Sequence, residues 1–106
     1  MTRINMRLLT IAAALAVVLS FSSPVRAQSA DLFKSKCAVC HSADGTGSAM
    51  GKKMGAHDFT SADVQKMSDA ELTDIITNGK NKMPKYGSLK PEDIKGLVAY
   101  IRTLKK

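Results

Sequence analysis

Two thiols three positions apart with an imidazole attached limit what this chain can be built around. Both cysteines, Cys37 and Cys40, sit in KSKCAVCHSADGTG, and His41 follows the second directly. Each chemistry open to such a cluster asks for a different scaffold. A structural disulfide suits an oxidising compartment, yet a Cys37–Cys40 bridge closes a tiny loop, and short loops gain least from cross-linking. A thioredoxin-like redox pair needs strand-helix-strand context, and no alternating apolar strand lies near it. Zinc would draw on Cys37, Cys40, His41 and His57, but adjacent Cys40 and His41 would have to turn onto one ion, and the usual two-plus-two spacing is missing.

The fourth chemistry is covalent haem attachment. In C-x-x-C-H the two sulfurs add to the vinyl groups of haem as thioethers, and the imidazole of the next residue binds the iron. One turn of helix sets the thiols apart to match the vinyls and points the histidine at the ring centre. The expected cofactor is therefore one covalent haem c, with Cys37 and Cys40 as attachment points and His41 as an axial iron ligand.

The N-terminus bears on where such a cofactor would work. Arg3 and Arg7 lead into LLTIAAALAVVLSF, followed by SSPVRA. A basic start, an apolar run and small residues before a cut after Ala27 describe a secretory signal peptide. Residues 1–27 are thus expected to be cleaved and residues 28–106 to form one domain. The apolar run from Leu8 to Phe21 is shorter than the roughly 18–20 residues of a spanning helix, so no stable membrane insertion is expected after cleavage. Export points to the periplasm for a bacterial source.

Of the 16 basic residues, cleavage removes Arg3, Arg7 and Arg26, which leaves 13 against 9 acidic and lowers the formal charge from +7 to +4. With no arginine cluster and no aromatic interleaving, this is not a nucleic-acid-binding composition. Moderate positive charge instead favours encounter with an acidic protein surface. The remaining 79 residues contain no Trp, and only Phe33, Phe59, Tyr86 and Tyr100 supply aromatic bulk. A domain this small often needs a staple, and a bound group in its centre would provide one.

The other face of the iron can carry Met, His or nothing; the candidates that survive cleavage are Met50, Met54, Met67, Met83 and His57. Met67 precedes Ser68-Asp69-Ala70-Glu71, a capping-box pattern, and is expected to pack on Leu72 as a hydrophobic staple. Met50 and Met54 lie in the glycine-rich SAMGKKMGAHDF, where either can line the pocket. Met83 lies in NGKNKMPKYGS, after a helix stops at Asn78-Gly79 and before another begins near Pro91. Pro84 holds Met83 out of helical geometry and stiffens the segment. Met83 is therefore the expected ligand, and His57 is read as a loop histidine.

The remaining pattern is helical. Ile94, Leu97, Val98, Ile101 and Leu104 recur at three- and four-residue steps. Pro91 suits the first turn of that helix, with Glu92 and Asp93 at its positive end and Arg102, Lys105 and Lys106 at its negative end. Leu72, Ile75 and Ile76 form a second stripe. No strand pair, repeat or low-complexity segment appears beyond the leader, and the expected fold class is all-α.

These residues resemble the small class I c-type cytochromes, particularly the short bacterial and cytochrome-c6-like members. CAVCH, the KMPKYG loop and the closing PEDIKGLVAYIRTLKK occur in the family's order, and the resemblance covers the whole of residues 28–106. It implies three to five helices wrapped around one haem, with first and last helices crossing so that Phe33 packs on Leu97 and Tyr100. It also implies Met83 as the distal iron ligand. One departure is that many members have a proline soon after the haem motif whose carbonyl accepts the imidazole hydrogen bond, whereas SADGTGSAMGKKMGAHDF has none. Another carbonyl is expected to orient His41.

With imidazole and thioether both on iron, no site is left for a substrate, so the expected role is a monomeric soluble one-electron carrier and not an enzyme. Lys80, Lys82 and Lys85 around Met83, with Lys52 and Lys53 on the other loop, suit an acidic redox partner. The alternatives are a ligand-binding sensor or enzyme with a displaceable Met83, or a cytochrome subunit of a larger redox complex.

Overall fold

The computed structural model of the chain describes residues 24–106; the expected signal peptide lies outside the described residues up to position 23. Among the described residues there are six helical segments and no strand. In chain order these are α1 (Pro24–Lys36), α2 (Ala38–His41), α3 (Ala49–Lys53), α4 (Ala62–Gln65), α5 (Asp69–Asn78) and α6 (Pro91–Thr103). Three are longer helices and three are single turns. The single turns lie where glycines and Asx or Ser/Thr turns keep the chain from propagating a helix. α3 falls inside the SAMGKKMGAHDF stretch read from sequence as a loop, started by Ser48, whose hydroxyl accepts from the Gly51 N–H.

α5 begins as the capping pattern requires. The Ser68 hydroxyl accepts from the Glu71 N–H at 3.1 Å, and the Glu71 carboxylate accepts from the Ser68 N–H at 2.7 Å. Together these satisfy two donors that the first turn would otherwise leave unpaired. Met67 and Leu72 both pack into the central cluster, as a staple at this helix start demands. α5 ends at Asn78 with Gly79 after it, and α6 starts with Pro91 in its first turn and Glu92 and Asp93 beside it.

The core is the seam between α1, α5 and α6. Phe33 from α1 and Leu97 from α6 are the two most deeply buried large side chains, and Ile94, Val98 and Ile101 extend the same face of α6. Full burial of such side chains contributes about 1.5–3 kcal/mol each. Leu72 and Ile76 close the seam from α5, and Val64 closes it from α4. The Phe33 and Tyr100 rings lie tilted at 4.9 Å between centroids. The first and last helices therefore cross as the resemblance implied.

Arg102 departs from the simple helix-end reading. Its guanidinium donates to the carbonyls of Gln65 and Met67 and pairs with Asp69 at 2.8 Å. It thereby ties α6 to the link between α4 and α5.

Candidate functional site

The C-x-x-C-H stretch is a helical continuation of α1. The Cys37 N–H donates to the Phe33 carbonyl at 2.9 Å, and the N–H groups of Cys40 and His41 both donate to the Cys37 carbonyl, at 3.2 and 3.0 Å. Ser42, with φ of 59°, ends the turn. Both cysteines are free, half-buried thiols. Burial pushes the Cys37 thiol up, and only the neighbouring Lys36 opposes this. A protonated thiol is a poor nucleophile at neutral pH, which does not suit a poised redox pair.

The turn is clamped through its carbonyls. Ser48 donates from its N–H to Cys40 O at 3.0 Å and from its hydroxyl to Val39 O at 2.8 Å, while the Gly47 N–H donates to His41 O at 2.8 Å. α3 then lies directly over the motif. A Cβ at Gly51 would overlap the Cys40 carbonyl, backbone against backbone, so only glycine permits this approach.

His41 is half-buried, and its Nδ1 is fully buried with no hydrogen-bond partner among the described residues. The carbonyl expected to orient it is not there. The Phe59 ring stacks on the imidazole instead, at 4.3 Å between centroids and 26° between planes. Burial pushes the His41 pKa down, which favours the neutral imidazole that binds metals.

His41 opens onto a cavity of about 200 Å³ bounded mainly by apolar side chains, among them Val64, Leu72, Ile75, Ile76 and Ile101. Met83 lines the same cavity. It is delivered by a tight turn in which the Lys80 and Met83 backbones exchange hydrogen bonds at 3.2 and 2.9 Å. Asn81 takes φ of 54° within this turn, a conformation asparagine tolerates better than most residues. Gly79 holds φ of 75°, and a Cβ there would sit 2.6 Å from the Met83 carbonyl oxygen. The loop is anchored by the Tyr86 N–H on Ile76 O at 2.9 Å and by the Tyr86 hydroxyl on Lys36 O at 3.2 Å.

The other sequence candidates separate. Met54 and His57 line the cavity but are exposed; Met50 is exposed and is not part of its wall. Met67 lines it and packs against the buried cluster that contains Leu72. Met83 is half-buried and packs against the core cluster. Cys37 and Cys40 lie outside the cavity wall. Among the described residues no group of three or more His, Cys, Asp or Glu is placed to hold a metal ion, so the zinc reading finds no site. An apolar cavity, a neutral imidazole, a thioether and two free thiols on one helical turn fit a flat apolar group carrying its own metal.

Two residues that sequence reasoning passed over belong to this site. Phe59 was counted only as aromatic bulk, and Gln65 was not singled out, although its amide donates to Phe59 O at 2.7 Å and to Ile101 O at 3.0 Å. The only local signal is the Asx turn at Asp58-Thr60, which announces a turn but not the ring it aims.

With this geometry in place, the comparisons with known proteins converge. The family described as cytochrome c oxidase, cbb3-type, subunit III matches residues 25–101. The cytochrome c6 of Bryopsis maxima is 33% identical over 68% of this chain and 83% of its own length. The cytochrome c of Theileria parva is 35% identical over 69% of this chain and 80% of its own. The cytochrome bc1 complex cytochrome c subunit of Corynebacterium diphtheriae is 33% identical over 76% of this chain, which spans only 27% of that larger protein. Among solved structures, the KustC0563 c-type cytochrome superposes with a TM-score of 0.67 at 35% identity, covering 73% of this chain and 96% of its own.

Proposed function

This chain belongs to that cytochrome c family and is a small class I c-type cytochrome with covalently bound haem c, and from this premise we propose that it is a soluble one-electron shuttle whose iron is held between His41 and Met83. Its coarse role, a haem-based electron carrier, is that of its relatives. The observation that carries the finer reading is the shared cavity, onto which both His41 and Met83 face.

Cys37 and Cys40 would hold the haem through thioethers, from positions three apart on a helical turn clamped by Ser48 and Gly47. The haem, when bound, supplies a couple between ferrous and ferric iron. The chain's own residues set how that couple behaves. His41 presents a neutral imidazole, and the Met83 thioether is a soft, uncharged donor that favours the ferrous state. The Leu, Ile and Val side chains around the cavity exclude water and disfavour the extra charge of the ferric state. With His41 and Met83 both holding the metal, no position would be left for a substrate, which is why the protein is read as a carrier and not as an enzyme.

Among the described residues no helix is long and apolar enough to cross a membrane. Export by cleavage after Ala27, and a periplasmic location, are part of the same proposal. Exposed Lys80 and Lys82 border the cavity, and together with Lys85 they would orient an acidic redox partner in a short-lived complex. Charge removal in Lys82→Gln/Lys85→Gln should slow electron transfer to such a partner at low salt and leave it unchanged at high salt. A salt dependence equal to that of the wild type would remove the lysines from the reading.

The likeness to a bc1 complex subunit supports a second reading, a domain docked permanently in a larger redox assembly; stable co-purification with a large partner would favour it. The deciding experiment for the carrier reading is the visible spectrum of the mature protein, oxidised and reduced, with carbon monoxide. Haem that survives acid-solvent extraction, with reduced bands insensitive to carbon monoxide, is the expected result. Ready carbon monoxide binding would instead mark a displaceable Met83 and move the function towards sensing or catalysis.

A further inference from the structure

The buried nitrogen of His41 has no acceptor among the described residues, and an aromatic ring lies nearly flat against the same imidazole. We propose that Phe59 is the positioning residue for His41: its stacked ring fixes the rotation of the imidazole and shields Nδ1 from water. Most metal-bound histidines are oriented through a hydrogen bond from the second nitrogen to a carbonyl, carboxylate or water. Here a ring face does that work. The inference rests on the reading of His41 as an iron ligand.

Phe59 is built to hold still. Its N–H donates to Gly45 O at 2.8 Å, and its carbonyl accepts from the Gln65 amide at 2.7 Å. The same amide donates to Ile101 O in α6 at 3.0 Å, so the position of the ring is referred to the core helix. The ring also meets Phe33 edge-on, at 6.3 Å and 60°. Gly45 packs so closely that a Cβ there would lie 3.1 Å from the Phe59 Cβ. The imidazole thus leans on a ring fixed at its backbone on both sides and through its edge.

The consequence is electronic as well as steric. A histidine that donates from Nδ1 gains basicity and stabilises the more highly charged metal state. An imidazole whose Nδ1 is buried and unpartnered is a weaker donor, and the ferrous state gains. Opening the Phe59 side would admit water to Nδ1 and return that basicity.

The test uses holoprotein of the wild type and of Phe59→Leu, Phe59→Tyr and Gln65→Leu, followed by redox titration and by proton NMR of the oxidised form. The hyperfine-shifted signals of the axial imidazole report its rotation, and Nδ1 proton exchange reports access of water. Phe59→Leu should lower the midpoint potential, move the imidazole signals and speed Nδ1 exchange at least tenfold. Phe59→Tyr should keep all three at wild-type values, and Gln65→Leu should move them in the same direction by less.

Unchanged potential and imidazole signals in Phe59→Leu overturn the proposal, as does a Phe59→Tyr protein that behaves like Phe59→Leu. If Phe59→Leu does not accumulate with haem, unchanged values in Gln65→Leu overturn it equally. A wild-type spectrum without shifted imidazole signals would strike the ligation reading itself, and is thereby distinguishable from failure of the Phe59 inference.

Discussion

The two sides of the cavity are built to different standards. On the His41 side, three consecutive carbonyls, of Val39, Cys40 and His41, are taken up by Gly47 and Ser48, and α3 lies against the Cys40 backbone through Gly51. On the Met83 side, the loop between α5 and α6 is mostly exposed, and it hangs on one tight turn and on Tyr86. Local stability follows buried contacts and protected hydrogen bonds. The His41 side should therefore open only with global unfolding, and the Met83 side should open first. A carrier benefits from this division. The attachment turn must not move, whereas the proposed Met83 ligand could let go without releasing the group.

The strongest way to break the comparison is Gly51→Ala. The new methyl group would collide with backbone that cannot rotate away, and overpacking of that kind costs roughly 3 kcal/mol. Thermal unfolding should show the loss, together with a lower yield of haem-loaded protein. A variant as stable as the wild type would mean that α3 does not clamp the motif.

Gly79→Ala probes the other side and should cost less, about 2 kcal/mol for a glycine-only backbone conformation, with the new Cβ pressing on the Met83 carbonyl oxygen but not overlapping it as one at Gly51 would overlap Cys40. Its mark should be selective: if Met83 holds the iron as proposed, it should detach under denaturant well before the fold is lost. Simultaneous loss of both in this variant would show that the two sides are one cooperative unit.

Tyr86→Phe sharpens the same point more gently. Removing the hydroxyl that reaches Lys36 should cost about 0.5–1.5 kcal/mol, read as faster amide exchange in residues 80–87 with that of 37–42 unchanged.

The smallest effect concerns acid. Asp44 accepts hydrogen bonds from Ser42 and Thr46, which hold its carboxyl well below the usual carboxylate range. A depressed folded-state pKa gives stability that is present above about pH 3.9, the ordinary Asp value, and that fades as pH falls towards the folded-state value. Asp44→Asn should therefore weaken the protein slightly at neutral pH, and its deficit should shrink as pH drops below 4. A deficit that does not change with pH would put the contribution of Asp44 in geometry and not in charge.

Much of this architecture was open to reading in the linear chain, for reasons specific to each part. The capping box at Ser68 and Glu71, the stop at Asn78-Gly79 and the start at Pro91 depend on neighbours in sequence, and the structure has them where that chemistry places them. The apolar steps from Ile94 to Ile101 describe a buried face whatever lies opposite. The short helix α3 was hidden because three glycines within nine residues suppress any helical signal; its start rests on one serine hydroxyl.

The site divides along the same line. The C-x-x-C-H spacing is a local property, since one helical turn relates its members, and so the cofactor was legible in five residues. Met83, a methionine before a proline between two helices, stood out in sequence as a candidate, and the structure sets it in the wall of the cavity that His41 also lines. The partners of these residues were not. Phe59 stands 18 positions from His41 and reaches it only because Gly45 and Gln65 hold it there, and Arg102 meets Met67 and Asp69 across the fold. Sequence by itself determined α5 and α6, the attachment turn and the kind of group the chain carries, because those follow from spacing and from hydrogen bonds between near neighbours. What the buried imidazole leans on, and how firmly each side of the cavity is held, only the tertiary structure decided. Those properties depend on which distant surfaces share the space that burial makes scarce.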